Sequence, residues 1–564
     1  MSADLANRYF SPDANVRVIV QFRSPAMGAA HRRVLGRGGA LNRDLDLVRA
    51  KAYTVPAEQI DRLADDPDVE FVSPDRPLAA STFGGTPDYG WMTVTGLSSM
   101  TGSLPYDGAG IGIAVLDSGL ADLPDLRSAQ GRSRIVFSRS FVPGDSRTID
   151  AYGHGMHVAG IVAGNGSQSG GPHALYAIRG VAPNANLINL RVLDSRGQAT
   201  DSTVIAAIQS AIQMKNTYNI RVLNLSLGRG VFSSYQSDPL CQAVEQAWRA
   251  GIVVVVSAGN EGRNNSAGTQ GYGTITAPGN DPLVITVGAM NTGGTASRTD
   301  DKITSYSSKG PTVFDQVIKP DLVAPGNRIL SLEANGSALV QTYPANQVPL
   351  TVYTTLGAKG TPAYFQLSGT SMAAPMVSGA AAVLLQKNPS LTPDQVKAIL
   401  MRTASKFPAT TSVAIDPATG FQYVSQYDVF TVGAGYLDLN AALANRDVPA
   451  GTALSPVAAF DGLSGNMHMV SASGAVWYAS VVWGANAVWG NSVLLGSSVI
   501  WGGAIDWSAG VIGQSRSVVW GTSVAGQSRS VVWGTGGVTG NSVALGDGNT
   551  VGSEAAAIAI NGEY

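Results

Sequence analysis

The sequence predicts an α/β fold built on a parallel sheet with helices on both faces. Three observations predict it. Short, nearly continuous apolar runs recur at 111–116, 186–193, 221–227, 252–256 and 283–287. Helical patterns lie between several of them, at 202–215 and 240–250. Strands that are apolar on both faces belong to sheets covered on both sides, and intervening helices supply the crossovers that parallel strands need. Composition agrees: 13% of the 564 residues are charged, 44% are hydrophobic and 67 are glycine. That suits buried sheet with many turns and excludes a disordered or highly solvated chain.

The chain is long enough for two or three domains, and three regions differ in character. Residues 1–82 carry much of the charge. Within them 16–22 reads as a strand with Val16, Val18, Val20 and Phe22 on one face, 56–63 opens with proline and acids as helices do, and 68–73 reads as another strand. A small α+β module is expected there. Residues 88–447 hold the parallel-sheet pattern. Residues 448–564 contain only seven charged residues but seven of the nine tryptophans. Large apolar residues recur every six positions at Trp477, Trp483, Trp489, Leu495, Trp501 and Trp507, then every thirteen at Trp520 and Trp533. Such a period predicts a β-rich repeat tail, a solenoid or a stack of short strands. Attachment to a surface or polymer and a folded spacer both fit it.

The formal net charge is -2 with no long run of one sign, so nothing points to nucleic acid or an anionic membrane. The single cysteine, Cys241, cannot form an intramolecular disulfide and reads as a buried, inert thiol on a helix. No run reaches the roughly 18 apolar residues of a membrane span. The residues after Met1 lack the apolar core of a signal peptide.

Candidate chemistry rests on four positions. Asp117 ends the run at 111–116, at the carboxyl end of a parallel strand, where α/β sites form; alone, it reads more simply as a turn residue. His154 lies between two glycines. His157 would share its helix face, but no third-ligand pattern accompanies the pair, so a metal site lacks support. Ser371 precedes an Ala-rich apolar stretch containing Pro375. Proline is tolerated only in a first turn, so the helix must start near Ser371. The hydroxyl then sits where helix amides favour an oxyanion, although a plain N-cap serine is the simpler reading of a lone residue. Asn260 follows the run at 252–256 and can serve a turn or donate to an oxyanion.

Together, Val-Leu-Asp-Ser-Gly, Gly-His-Gly-Met-His-Val-Ala-Gly, Ser-Ala-Gly-Asn-Glu-Gly and Gly-Thr-Ser-Met-Ala-Ala-Pro, in the order Asp, His, Asn, Ser, resemble the signature of the subtilisin-like serine proteases. Gly-Val-Ala-Pro at 180–183, Leu-Asn-Leu-Ser-Leu-Gly at 223–228 and Val-Ala-Pro-Gly at 323–326 match as well. The resemblance implies a three-layer subtilisin-like domain and a serine endopeptidase of broad specificity working through an acyl-enzyme. It implies a triad of Ser371, His154 and Asp117, an oxyanion hole using Asn260, and a substrate edge at Ser226, Leu227 and Gly228. No cofactor is implied for the chemistry. Structural calcium fits the family, but no calcium loop is recognisable in 165–179.

Met156 stands where the family usually has threonine, and Met376 where many members have histidine. The stretch 327–367 reads as an insertion over or near the cleft. Residues 15–77 resemble the family's inhibitory propeptides, whose C-terminal tail fills the cleft until it is cut. The expectation is therefore a self-processing zymogen, cut between 77 and 88, inhibited by its own propeptide, monomeric, and secreted or cell-surface with a leader outside the given chain. An inactive protease-fold binding protein and an adhesive tail with protease cargo are the alternatives.

Overall fold

The small N-terminal module folds around a core of its own. The structure is a computed structural model that describes residues 1–6, 14–23, 28–80, 106–266, 268–295, 297–355, 360–407, 411–415, 420–461, 466–470, 518–520 and 531–533. Helix α1 (Ala3–Ala6) precedes β1 (Asn15–Phe22), α2 (Gly28–Gly36), β2 (Ala40–Leu45), β3 (Ala50–Pro56), α3 (Ile60–Ala64) and β4 (Val69–Pro74). The strands form an antiparallel sheet in the order β2-β3-β1-β4. Its two faces are buried differently, because side chains alternate along a strand. Val16, Val18, Val20 and Phe22 cluster with Ala30, Val34, Ile60 and Leu63 of the helices. Ile19, Leu45, Ala50 and Ala52 instead join the core of the large domain, so the module docks by its second face. The helix expected from residue 56 begins at Ile60, after a tight turn at Ala57–Gln59.

The chain then leaves the module as β5 (Pro77–Ala80) and resumes in β6 (Gly112–Asp117), β7 (Ile135–Ser140), α4 (His154–Ala163), β8 (Asn186–Arg191), β9 (Gln198–Thr200), α5 (Asp201–Gln213), β10 (Ile220–Leu225), β11 (Leu227–Gly228), α6 (Pro239–Arg249), β12 (Val253–Ser257) and β13 (Ile285–Asn291). The central sheet runs β13-β12-β10-β6-β8-β7 in parallel. On β13 it is extended by parallel β15 (Leu322–Pro325) and antiparallel β14 (Lys302–Ile303). Strands β6 and β12 are buried throughout, as expected for a sheet covered on both faces. Neighbours β6 and β10 send their following connections in opposite directions, which opens a crevice at their carboxyl ends.

Beyond β15 come β16 (Ile329–Leu332), α7 (Ala338–Thr342), α8 (Leu350–Tyr353), β17 (Tyr364–Leu367), α9 (Thr370–Lys387) and α10 (Pro393–Thr403). Helix α9 lies against β10, β12 and β13 and packs on α4, while α6 lies against β12. Pro375 is the sixth residue of α9, inside the helix, where it lacks the amide that would donate to the carbonyl of Ser371; that carbonyl instead accepts the Ser226 hydroxyl. Cys241 is buried, and desolvation pushes its thiol pKa well up.

Residues 449–458 run back across this domain. The Ser455 hydroxyl donates to Asp321 and accepts from Lys397, and the amide of Ile318 donates to the carbonyl of Pro456. Lys319, Asp321 and Lys397 are all buried, so Ser455 completes a sealed ionic cluster. In the tail, Val518–Trp520 pairs in parallel with Val531–Trp533, Trp520 opposite Trp533. The six-residue repeats between Trp477 and Trp507 and the link at 81–105 lie outside the described residues. No helix among the described residues is long and apolar enough to cross a membrane.

Candidate active site

Asp117 is the last residue of β6 and His154 the first of α4. Asp117 Oδ1 lies 2.6 Å from His154 Nδ1, and both side chains are buried. The same oxygen accepts the amide of Ser118 at 2.8 Å. With Nδ1 bonded to a carboxylate, the neutral imidazole presents Nε2 as an acceptor. Nε2 is buried and has no hydrogen-bond partner among the described residues.

Ser371 is the second residue of α9 and fully buried. Its hydroxyl donates to the carbonyl of Ser226 at 3.0 Å, and the Ser226 hydroxyl donates to the carbonyl of Ser371 at 2.9 Å. The Ser371 proton therefore rests on Ser226 rather than on the imidazole. A serine hydroxyl swings between rotamers, and bonds of this kind tighten when substrate arrives.

Asn260 comes from the loop after β12, turned by Gly259 at φ 103°. Its Oδ1 accepts both the amide and the hydroxyl of Thr370 at 3.0 Å. A backbone amide can only donate, so the side-chain amide is oriented unambiguously. Nδ2 is left buried with no partner among the described residues. Leaving such a donor unmet is costly, and an acceptor arriving beside Ser371 would relieve it.

Glycine is required on both sides of His154. Gly153 sits at φ 111°, and a Cβ on Gly155 would lie 2.4 Å from the carbonyl oxygen of Gly119. His157 faces away from this chemistry: its Nε2 lies 3.0 and 3.1 Å from the carbonyls of Ile329 and Phe365, which belong to the pair β16–β17. Burial pushes its pKa down to about 3, so it is a neutral donor. Met156 Sδ receives the amide of Ala121, a contact that the sequence did not reveal.

Of the expected substrate edge Ser226, Leu227 and Gly228, the last two pair with the protein's own chain. Leu227 pairs with Ala80 and Gly228 with Ala79, antiparallel. On the other side β9 pairs with β5, Ala199 opposite Leu78. The pairing strand Gln198–Thr200 was missed from sequence; no motif marks it, because main chain alone does the pairing. Asp75, just before β5, caps α5 from outside: its carboxylate accepts the amide of Ser202 at 2.8 Å and the Ser202 hydroxyl at 2.7 Å.

The 327–367 insertion begins and ends in the hairpin β16–β17 and hooks onto the loop before His154. The amides of Ala338 and Leu339 donate to the carbonyls of Ala151 and Tyr152. In the loop at 165–179, the Asp125 carboxylate is engaged by the Ser167 hydroxyl, the Gln168 amide and the Tyr364 hydroxyl. Among the described residues no group of three His, Cys, Asp or Glu side chains could hold a metal.

A buried aspartate–histidine pair at the carboxyl edge of a parallel sheet and a buried serine at a helix start are the groups that a serine hydrolase of α/β architecture uses. The subtilase family model (Peptidase_S8) matches residues 108–432. Serine protease AprX from Bacillus subtilis (strain 168) is 39% identical over 305 residues, covering 53% of this chain and 62% of that protein. Subtilisin E from the same organism is 31% identical over 411 residues, covering 72% of this chain and 88% of its own length. The crystal structure of fervidolysin from Fervidobacterium pennivorans, described as a keratinolytic enzyme related to subtilisin, superposes with a TM-score of 0.58 at 22% identity. That alignment covers 79% of this chain and 63% of fervidolysin, and it bears on fold alone. The chain belongs to the subtilase family, the subtilisin-like serine endopeptidases.

Proposed function

We propose that this chain is a self-processing endopeptidase zymogen whose triad is Ser371, His154 and Asp117. Ser371 attacks the scissile carbonyl, His154 takes its proton and returns it to the leaving amine, and Asp117 holds the tautomer and stabilises the imidazolium. The free Nδ2 of Asn260 and the amide of Ser371 receive the oxyanion. Substrate binds as an added strand between Ser226–Gly228 and Gln198–Thr200. Main-chain pairing tolerates many sequences, which supports broad specificity.

The observation that carries the zymogen reading is β5. The module's last strand lies between both groove edges and runs toward Ser226, the residue whose carbonyl holds the Ser371 hydroxyl. The cut is expected in the segment that β5 leads into, between Pro77 and Asp88. A tethered segment has a high effective concentration at its own site, so a poor sequence is still cut. The released module, docked by its sheet, then inhibits in trans until degraded. Export as a monomer suits such an enzyme, and the repeat tail serves attachment to a surface or polymer or acts as a spacer.

Mass measurement on purified protein tests this reading. Wild type is expected to yield a new N-terminus between Pro77 and Asp88, and Ser371→Ala to stay full length with turnover lowered by several orders of magnitude. Clipping of purified Ser371→Ala at the same bond, with no other protease present, would overturn self-processing. Wild-type peptidase activity in that variant would overturn the triad.

A further inference from the structure

We propose that Asp150 is a positioning residue for catalysis, its carboxylate fixing the start of α4 and with it the imidazole of His154. The proposal rests on reading His154 as the proton carrier. Helix α4 opens with no side-chain cap of its own, since the preceding residue is Gly153. The first amides of a helix need acceptors from elsewhere. Asp150 supplies acceptors for two of them, Gly153 at the cap and Met156 in the first turn. Its Oδ1 accepts the amides of Gly153 at 2.7 Å and Tyr152 at 3.1 Å, and its Oδ2 accepts the amide of Met156 at 2.8 Å. The amide of Gly155 goes to the Ser118 hydroxyl at 2.8 Å, and that hydroxyl also reaches Asp117 Oδ1 at 3.2 Å. One carboxylate thus brackets His154 on both sides in sequence, while the neighbour of Asp117 takes the amide of Gly155.

Burial pushes the Asp150 pKa up, and the bonds from Gly153 and Met156 pull it back. A buried carboxylate is costly unless its acceptors are used, and here both oxygens are used on the helix that carries the imidazole. The insertion holds the same loop from outside through Ala151 and Tyr152. Asp150 then sets the end of the helix, and the insertion sets the backbone leading to it.

The test compares Asp150→Asn with wild type in the full chain, with His154→Ala as reference. Asparagine keeps the shape but turns one acceptor into a donor that faces a backbone amide. We expect kcat to fall roughly 10²-fold, the scale of a small misplacement of a reacting group, with KM unchanged within about twofold. The low-field proton resonance of His154 Nδ1–H should shift, while Asp150→Asn still unfolds in one thermal transition. Ser118→Ala should show a smaller loss in the same direction. Wild-type kcat with an unshifted Nδ1 proton in Asp150→Asn would overturn the proposal. So would a kcat loss matched by a lost folded fraction with a normal Nδ1 resonance in the remainder. If His154→Ala is itself active, the triad reading fails; if it is inactive and Asp150→Asn is fully active, only the role of Asp150 fails.

Discussion

Asp75→Ala should speed release of the module after it is cut. Thr200 provides no side-chain cap for α5, so the helix depends on the Asp75 carboxylate reaching in from the module. That carboxylate is buried and bonded to the amide and hydroxyl of Ser202. Losing a helix cap costs about 1 kcal/mol, and losing a partly buried charge at a helix N-terminus adds about 1–2 kcal/mol. The Arg17 partner is half-exposed and adds little, as surface pairs do. A total of about 2–3 kcal/mol corresponds to about 30–150-fold in affinity, which a mutation of one interface expresses chiefly through the off-rate. The assay is the lag before peptidase activity appears in freshly folded protein. Asp75→Ala should shorten the lag by that factor and Asp75→Asn by less, with identical activity once the module is degraded. An unchanged lag in Asp75→Ala would show that the cap contributes nothing to docking.

Asn260→Ala should lower kcat by roughly 10²–10³ with little change in KM; a change confined to KM in steady-state kinetics would place Asn260 in ground-state binding. The neutral His157 contributes stability that is fully present above about pH 6.5, its ordinary pKa when unfolded, and is lost as pH falls toward about 3. His157→Gln keeps a donor for the Ile329 and Phe365 carbonyls and should flatten this part of the plot of unfolding free energy against pH; an unaltered slope in denaturant titrations would exclude the histidine as its source. Deleting residues from 449 onward should destabilise the catalytic domain by about 3 kcal/mol or more, because it opens the buried Lys319–Asp321–Lys397 cluster to an unmet partner. A chain ending at 448 with the melting temperature of one ending at 461 would refute that.

Residues whose demands are local were legible in the sequence. Ser371 was placed at a helix start by Pro375 four positions on, and Gly153 answers to its own backbone at φ 111°. Demands met across the fold were illegible. Asp150 lies four residues before His154, yet its role depends on an uncapped helix that no string announces. Strand β9 pairs through main chain and carries no motif. Strand β7 stands at the sheet edge, its residues half-buried or exposed, so it lacked the continuous apolar run that marked its neighbours. The run at 221–227 merged two strands, because Ser226 breaks the ladder between β10 and β11 without interrupting the apolar pattern. The run at 283–287 started early, since the carbonyls of Leu283 and Val284 leave the sheet to meet Lys397.

The three-stranded arrangement of β11, β5 and β9 has a consequence for the enzyme if its own strand departs as proposed. Two short edges, Leu227–Gly228 and Gln198–Thr200, would then face one another across a gap one chain wide, each with main-chain donors and acceptors released to water. Such a slot is selective for shape before chemistry: it admits a single extended polypeptide and rejects helices, hairpins and folded loops, whose backbone groups are already engaged. A compact protein should therefore survive this enzyme until it frays, and susceptibility should follow local unfolding of the target more closely than the side chains around the cut.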